Sequence, residues 1–272
     1  MSITVSNLTV YPIKSSAGID LSNAWLDELG LSFDRRFVLT ETNGRFITAR
    51  TDPRICLIQV NLTATGLKLI APDMPVLAIE YNRFSDNYQD IRVWQDTIAA
   101  QHCLVEYDRW FSQYLGRDCQ LHYFGEQSKR QVKDKANDLS FADGYPVLLI
   151  GQASLDELNT RLPSPITMSQ FRPNIVVEGT EAFQEDEWAQ VRIGEVEFEV
   201  TKPCTRCDFT TVDPDTAEFH PKREPINTLK QYRKAKKGGI LFGQNLVPLN
   251  QGQIKQGDTL TIVSTKAAPE FV

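Results

Sequence analysis

Lys202-Pro203-Cys204-Thr205-Arg206-Cys207 lies between two β-branched runs, Glu195 to Thr201 before it and Phe209 to Val212 after it. Such runs suit pleated, half-buried strands, so the two cysteines sit at a strand end. Cys-x-x-Cys admits three chemical readings: half a zinc site, a dithiol redox pair, or one thiolate ligand with a bystander. A structural zinc site needs two more Cys or His ligands, but Cys56, Cys103 and Cys119 lie singly and His220 is unaccompanied. A dithiol pair is expected to open a helix, whereas Asp208-Phe209-Thr210-Thr211-Val212 reads as a strand. A single thiolate ligand suits a soft metal, and Arg206 beside Cys207 with Lys202 nearby favours the ionised sulfur. Two buried structural cysteines fit the spacing as well, so other segments must decide.

Outward from the motif, strand-like runs recur at Ile3 to Ile13, Arg36 to Glu41, Ile55 to Leu62, Gly66 to Ile70, Val76 to Tyr81 and Ile91 to Ile98. Turn signals such as Thr42-Asn43-Gly44 and Ala71-Pro72-Asp73 separate several of them. Asp108 is read as the cap of a short helix through Trp110, Phe111 and Leu115 to a Gly116 stop, and Gly125 to Asn137 is polar and charged, giving a boundary near residue 120. Beyond it, Pro146 to Ile150 reads as a buried strand, and Ser154-Leu155-Asp156-Glu157 has the capping-box spacing that starts a helix through Leu158 to Leu162. A strand follows at Asn174 to Glu178, and Glu224 to Ala235 reads as a helix with Pro225 in its first turn. Arg233 to Lys237 reads as a solvated helix end, and Gly252 to Asp258 as a turn feeding a last strand, Thr259 to Val263, that seals a barrel or sheet.

Four further segments carry groups suited to an anion. Tyr11-Pro12-Ile13-Lys14-Ser15-Ser16 puts an ammonium and two hydroxyls after a strand, and Asp34-Arg35-Arg36-Phe37 enters the next strand with its two arginines on opposite faces, one inward and one solvated. Phe171-Arg172-Pro173-Asn174 offers a guanidinium fork and an amide before a buried strand. In Asp143-Gly144-Tyr145-Pro146 the carboxylate can cap a turn or carry a proton.

In this order the segments resemble the MOSC superfamily, named for the molybdenum-cofactor sulfurase C-terminal domain, and in particular the N-terminal-plus-MOSC pair of the mitochondrial amidoxime reducing component and its bacterial relatives. The resemblance also runs through Ala153-Ser154-Leu155, Thr210-Thr211-Val212-Asp213-Pro214-Asp215-Thr216 and Leu241-Phe242-Gly243-Gln244. It implies a mainly β fold with a few helices (α+β), in which a MOSC β-barrel-like domain, residues 121–272, packs against an N-terminal β-rich domain, residues 1–120. It implies Cys207 as the protein ligand to molybdenum, Lys14, Ser15, Arg35, Arg172, Asn174, Thr205 and Arg206 as holders of the molybdopterin phosphate and pterin, and Asp143 as a carboxylate beside the metal. Tyr145 and Asn245 stand where relatives often carry a small hydroxyl residue and a Tyr. The chemistry implied is reduction of N-hydroxylated bases or amidoximes. With no cysteine after Cys207, the electrons are expected from a separate donor of ferredoxin, flavodoxin or reductase type. Two other outcomes remain: a protein that binds or carries the molybdenum cofactor without turnover, and a persulfide sulfur carrier.

Composition bounds these readings. The chain has 272 residues, 41% of them hydrophobic, and 29 Lys plus Arg against 35 Asp plus Glu give a net charge of -6. That balance offers no general attraction to a nucleic-acid polymer or an anionic membrane, so any anion must be held by a local cluster. The start lacks a signal-peptide pattern, no window approaches the roughly 18 apolar residues of a membrane span, and the single cysteines suit reduced core thiols, all of which point to the cytoplasm.

Overall fold

The nearly continuous apolar run around Leu148 needs cover on both faces, and the larger of the molecule's sheets provides it. In a computed structural model, which describes residues 2–272, the strand Val147–Gly151 runs parallel to Ile175–Glu178 on one side and antiparallel to Leu241–Pro248 on the other. The full eight-stranded order is Leu260–Thr265, Trp188–Ile193, Val196–Thr205, Leu241–Pro248, Val147–Gly151, Ile175–Glu178, Thr4–Val10 and Ile19–Asp20. Backbone bonds from Val5 N to Asp258 O and from Leu260 N to Ile3 O tie the first strand to the last, which curls the sheet into a barrel. Val5 and Leu8 therefore share a core with Leu149, Val177, Trp188, Phe198 and Leu246. The first strand of the chain belongs to the sheet built mainly by its second half.

The remaining β structure is a four-stranded sheet, Phe37–Thr40, Gln120–Tyr123, Asp96–His102 and Tyr88–Val93, a three-stranded sheet (Gln59–Leu62, Gly66–Ile70, Leu77–Glu80) that shares its core, and another (Gly252–Lys255, Asn23–Asp27, Gly30–Leu31) that packs into the barrel core. The core of the four-stranded sheet gathers Phe37, Ile55, Tyr107, Phe111 and Leu121, and the helix Val105–Leu115 packs on it. The helices Gln152–Arg161 and Ile226–Tyr232 complete the longer elements, and their Leu155, Leu158 and Leu229 cover Ile150, Phe171 and Phe242 of the barrel. The fold is mainly β with a few helices, as the residue patterns predict. Among the described residues no helix is long and apolar enough to cross a membrane.

Several local expectations are corrected. Asp108 does not cap its helix, which begins at Val105; it is buried inside the first turns, where Oδ2 lies 2.7 Å from His102 Nε2 and Oδ1 accepts the Leu121 N–H at 2.8 Å. Ser154 likewise lies inside a helix that begins at Gln152, and its hydroxyl donates to buried Glu185 at 2.8 Å and accepts the Phe183 N–H at 2.7 Å rather than capping its own helix. Long-range partners outcompete the local cap in both cases. The run Ile91 to Ile98 is two strands of a hairpin turning at Trp94-Gln95, and Ile55 begins as a 3-10 turn, Pro53–Leu57. Arg233 is not solvated: it is buried, donating to Asp186 at 2.6 Å and to the Leu241 carbonyl at 3.1 Å.

Candidate functional site

The strand Val196–Thr205 ends as its ladder with Leu241–Pro248 breaks up, and Cys204 leaves on that last stretch. The Arg206 N–H is fixed to the Ile240 carbonyl at 2.7 Å, beneath a turn where Gly239 has φ 86° and a Cβ would come within 2.8 Å of the Thr205 methyl. Only a glycine lets that turn lie so close to the cysteine loop. Cys207 then precedes a 3-10 turn, Asp208–Thr211, whose Thr210 N–H and hydroxyl both donate to the Cys207 carbonyl. The strand expected over Phe209 to Val212 is therefore corrected: the threonines serve as turn hydroxyls, not as pleated side chains. Cys207 is exposed and Cys204 half-buried.

One cleft is lined by Cys204, Thr205, Arg206 and Cys207 together with Lys14, Ser15, Arg35, Asp143, Arg172 and Asn174. Residues far apart in the chain thus meet at one wall of the barrel. Tyr145 and Asn245 line it too, Asn245 through a 3.4 Å bond to the Pro203 carbonyl. The larger opening, about 1200 Å³ and bordered by Tyr81, Tyr88 and Glu126, contains none of these groups. Size alone does not mark the chemistry.

The cations of the cleft fall into different states. Arg35 donates to buried Asp34, to Asn174 Oδ1 at 3.0 Å and to the Arg172 carbonyl at 3.3 Å; although burial pulls its pKa down, Asp34 holds it above the ordinary value. The Asn174 amide is spent within the protein, since Nδ2 donates to the Thr9 carbonyl at 3.1 Å and Oδ1 also accepts the Leu148 N–H. The neighbouring Arg36 pairs with Asp27 at 2.7 Å and is largely covered, so neither arginine of the pair is the solvated one that alternation predicts. Arg172 lies 4.0 Å above the Tyr11 ring and donates once, to the Ser16 carbonyl at 2.7 Å. Its Nη2 is buried without a partner, and burial pushes its pKa down. Arg206 gives Nη1 to Cys204 Sγ at 3.0 Å and Nη2 to the Phe171 carbonyl at 2.7 Å, leaving Nε buried and unpartnered.

Lys14 Nζ bonds the Phe141 carbonyl at 2.7 Å and Asp143 Oδ1 at 2.6 Å. Desolvation lowers the lysine pKa. Lys14 and the Trp94 indole N–H at 3.1 Å hold the Asp143 carboxyl well below the usual range. Asp143 is thus a carboxylate at neutral pH.

Three contributors escape a reading of the motifs. Arg50 Nη1 lies 3.9 Å from Cys207 Sγ, Trp94 reaches Asp143 from a hairpin tip, and Tyr11 is the aromatic floor under both Arg35 and Arg172. Tyr11 stood inside a quoted segment, so an aromatic beside a lysine was its available signal. Arg50 and Trp94 had none, because only tertiary folding brings them to the cysteines.

The arrangement offers unsatisfied N–H donors to an anion beside an exposed thiol. Buried N–H groups without acceptors cost free energy comparable to a lost hydrogen bond, and a phosphate or another polar group would satisfy them. Among the described residues no three His, Cys, Asp or Glu side chains cluster as a conventional metal site, which removes the distant ligands that structural zinc requires. A cofactor supplying most of its own metal ligands fits the donor set better.

The model of the MOSC N-terminal beta barrel domain matches residues 2–118, and that of the MOSC domain matches residues 136–261. Mitochondrial amidoxime reducing component 2 of Rattus norvegicus is 35% identical over 94% of this chain and 82% of its own length. Mitochondrial amidoxime-reducing component 1 of Homo sapiens is 32% identical over 96% of this chain and 83% of its own.

Proposed function

The chain belongs to the MOSC family, joining a MOSC N-terminal region to a MOSC domain, and from that premise we propose that it reduces N-hydroxylated bases and amidoximes with a molybdenum cofactor ligated through Cys207. The observation that carries this reading is the pair of buried, unpartnered guanidinium N–H groups on Arg172 and Arg206, in the same cleft as an exposed cysteine.

Lys14, Ser15, Arg172, Thr205 and Arg206 would hold the cofactor's phosphate and pterin, while Arg35, itself held by Asn174 Oδ1, donates to the Arg172 carbonyl and positions that segment. When bound, the cofactor supplies a two-electron redox centre. The overall change is R–C(=NOH)NH₂ plus two electrons and two protons giving R–C(=NH)NH₂ and water. Asp143, ionised and joined to Lys14 Nζ, relays a proton from the ammonium rather than storing one itself. Cys207 is assigned as the ligand by its place in the family motif, and its exposure, against half-buried Cys204 held by Arg206 at 3.0 Å, supports that choice. Electrons come from a separate ferredoxin, flavodoxin or reductase-type protein, residues 1–120 and 121–272 form the two units, and the protein works in the cytoplasm.

The test is molybdenum and oxidised-pterin analysis of protein from a cofactor-competent host. Wild type and Cys204→Ala should carry metal and Cys207→Ala should not, and the reverse pattern moves the ligand to Cys204. Turnover of benzamidoxime with a chemical reductant then separates a reductase from a cofactor carrier. Metal-replete protein without product favours the carrier.

A further inference from the structure

Trp94 opens the turn of the hairpin in which Val93 pairs with Asp96, and its φ is 58°. A side chain with a Cβ in that left-handed region costs about 1 kcal/mol that glycine avoids, so a bulky aromatic there calls for a reason. The indole is 40% exposed at the cleft mouth, with Phe46 packed edge-on at 5.2 Å and its N–H on Asp143 Oδ1. Over its face, 4.2 Å from the ring centre, lies the Arg50 guanidinium, which also reaches Cys207 Sγ. A guanidinium is a flat N–C–N fork, the same fork that ends an amidine, an amidoxime or an N-hydroxyguanidine. The Lys14 and Trp94 bonds both end on Asp143 Oδ1, and the side chain is 66% exposed, so Oδ2 is open to a further N–H.

We propose that Trp94 is the specificity-determining platform of the site: a flat substrate bearing an N–C–N group lies on the indole where Arg50 now lies, its fork between Asp143 and Cys207, so that aromatic substrates are favoured over small aliphatic ones. This rests on the reductase reading for its substrate class. Stacking of the substrate's aromatic ring on the indole supplies the selectivity, and the hairpin of the N-terminal half, not the cysteine loop, sets it.

The experiment is calorimetric binding of two stable probes to cofactor-loaded protein: benzamidine, and acetamidine, which keeps the fork but replaces the ring with a methyl group. Trp94→Gly removes the ring yet suits the backbone at φ 58°, so loss of binding is separable from loss of fold. Wild type should prefer benzamidine by about tenfold, Trp94→Gly should lose about that factor for benzamidine and little for acetamidine, and Trp94→Phe should keep most of it. Unchanged benzamidine affinity in Trp94→Gly, or no preference in wild type, overturns the platform. Benzamidoxime kinetics distinguish the two readings: KM should be higher in Trp94→Gly than in Trp94→Phe, two variants that lose the indole N–H to Asp143 alike and differ in the ring. Normal turnover with an unmoved KM sinks the platform alone. Tenfold binding shifts in a protein that reduces nothing sink the reductase alone.

Discussion

Two arginine clusters flank the strand Leu241–Pro248, and they are built on opposite terms. At one, Arg233 is buried between the Phe183 and Phe271 rings and paired with Asp186, whose other oxygen accepts Gln244 at 2.6 Å. At the other, Arg172 and Arg206 sit on Tyr11 and Phe171 with carbonyls and a thiol for partners and no carboxylate, and each keeps one buried N–H unused. The first cluster is neutralised by its own fold and is structural. The second carries positive charge with nothing inside the protein to balance it, which is costly unless an anion arrives.

The largest effect expected is functional. Cys207→Ala should abolish molybdenum retention and lower amidoxime turnover more than about a hundredfold, while its exposed side chain keeps the stability change near 0.5 kcal/mol. The two arginine clusters should then separate under urea. Arg233→Met leaves Asp186 buried without its partner and should cost about 3–5 kcal/mol. Arg172→Met should cost less than about 1 kcal/mol yet reduce pterin retention by about tenfold or more. Comparable destabilisation by the two variants breaks the contrast and makes Arg172 structural.

A buried histidine sharpens the same rule. His122 is fully buried, with Thr40 at 3.3 Å and Gln89 at 3.4 Å as partners, and burial together with His102 pushes its pKa down to about 4. Between about 6.5 and about 4 the unfolded chain binds the proton and the folded one does not, so stability is lost as pH falls through that window, by at most about 3 kcal/mol. Denaturation at pH 7.5 and 5 should show this loss, and His122→Gln should flatten it; an unaltered slope assigns the effect to another group. The smallest change belongs to Lys202, whose ammonium lies 5.3 Å over Tyr145 at the rim. Lys202→Met should move stability by less than about 0.5 kcal/mol and metal content not at all.

The order of short motifs was legible because each carries a local cause: a strand, a turn, then a charged group at its end. Lys14, Arg35, Arg172 and Cys207 are readable in that way, as is the buried strand after Pro146. The helix starts were misread because Asp108 and Ser154 find distant partners in His102 and Glu185, and a spacing rule has no knowledge of those. Thr210 and Thr211 were misread because β-branching is a weak preference that a short turn with its own hydroxyl bonds overrides.

By itself the sequence determined the β-rich class and the position of the cysteine pair at a strand end, since alternation and spacing are properties of the chain. Only tertiary structure decided which charges remain unbalanced. The separations of Arg35 from Asn174 and of Arg50 from Cys207 along the chain say nothing of their meeting. Pairing of the first strand with Ile175–Glu178 brings Arg35 to Asn174, the packing of the 41–52 segment brings Arg50 to Cys207, and burial then determines that Arg35 is neutralised while Arg172 keeps a free donor.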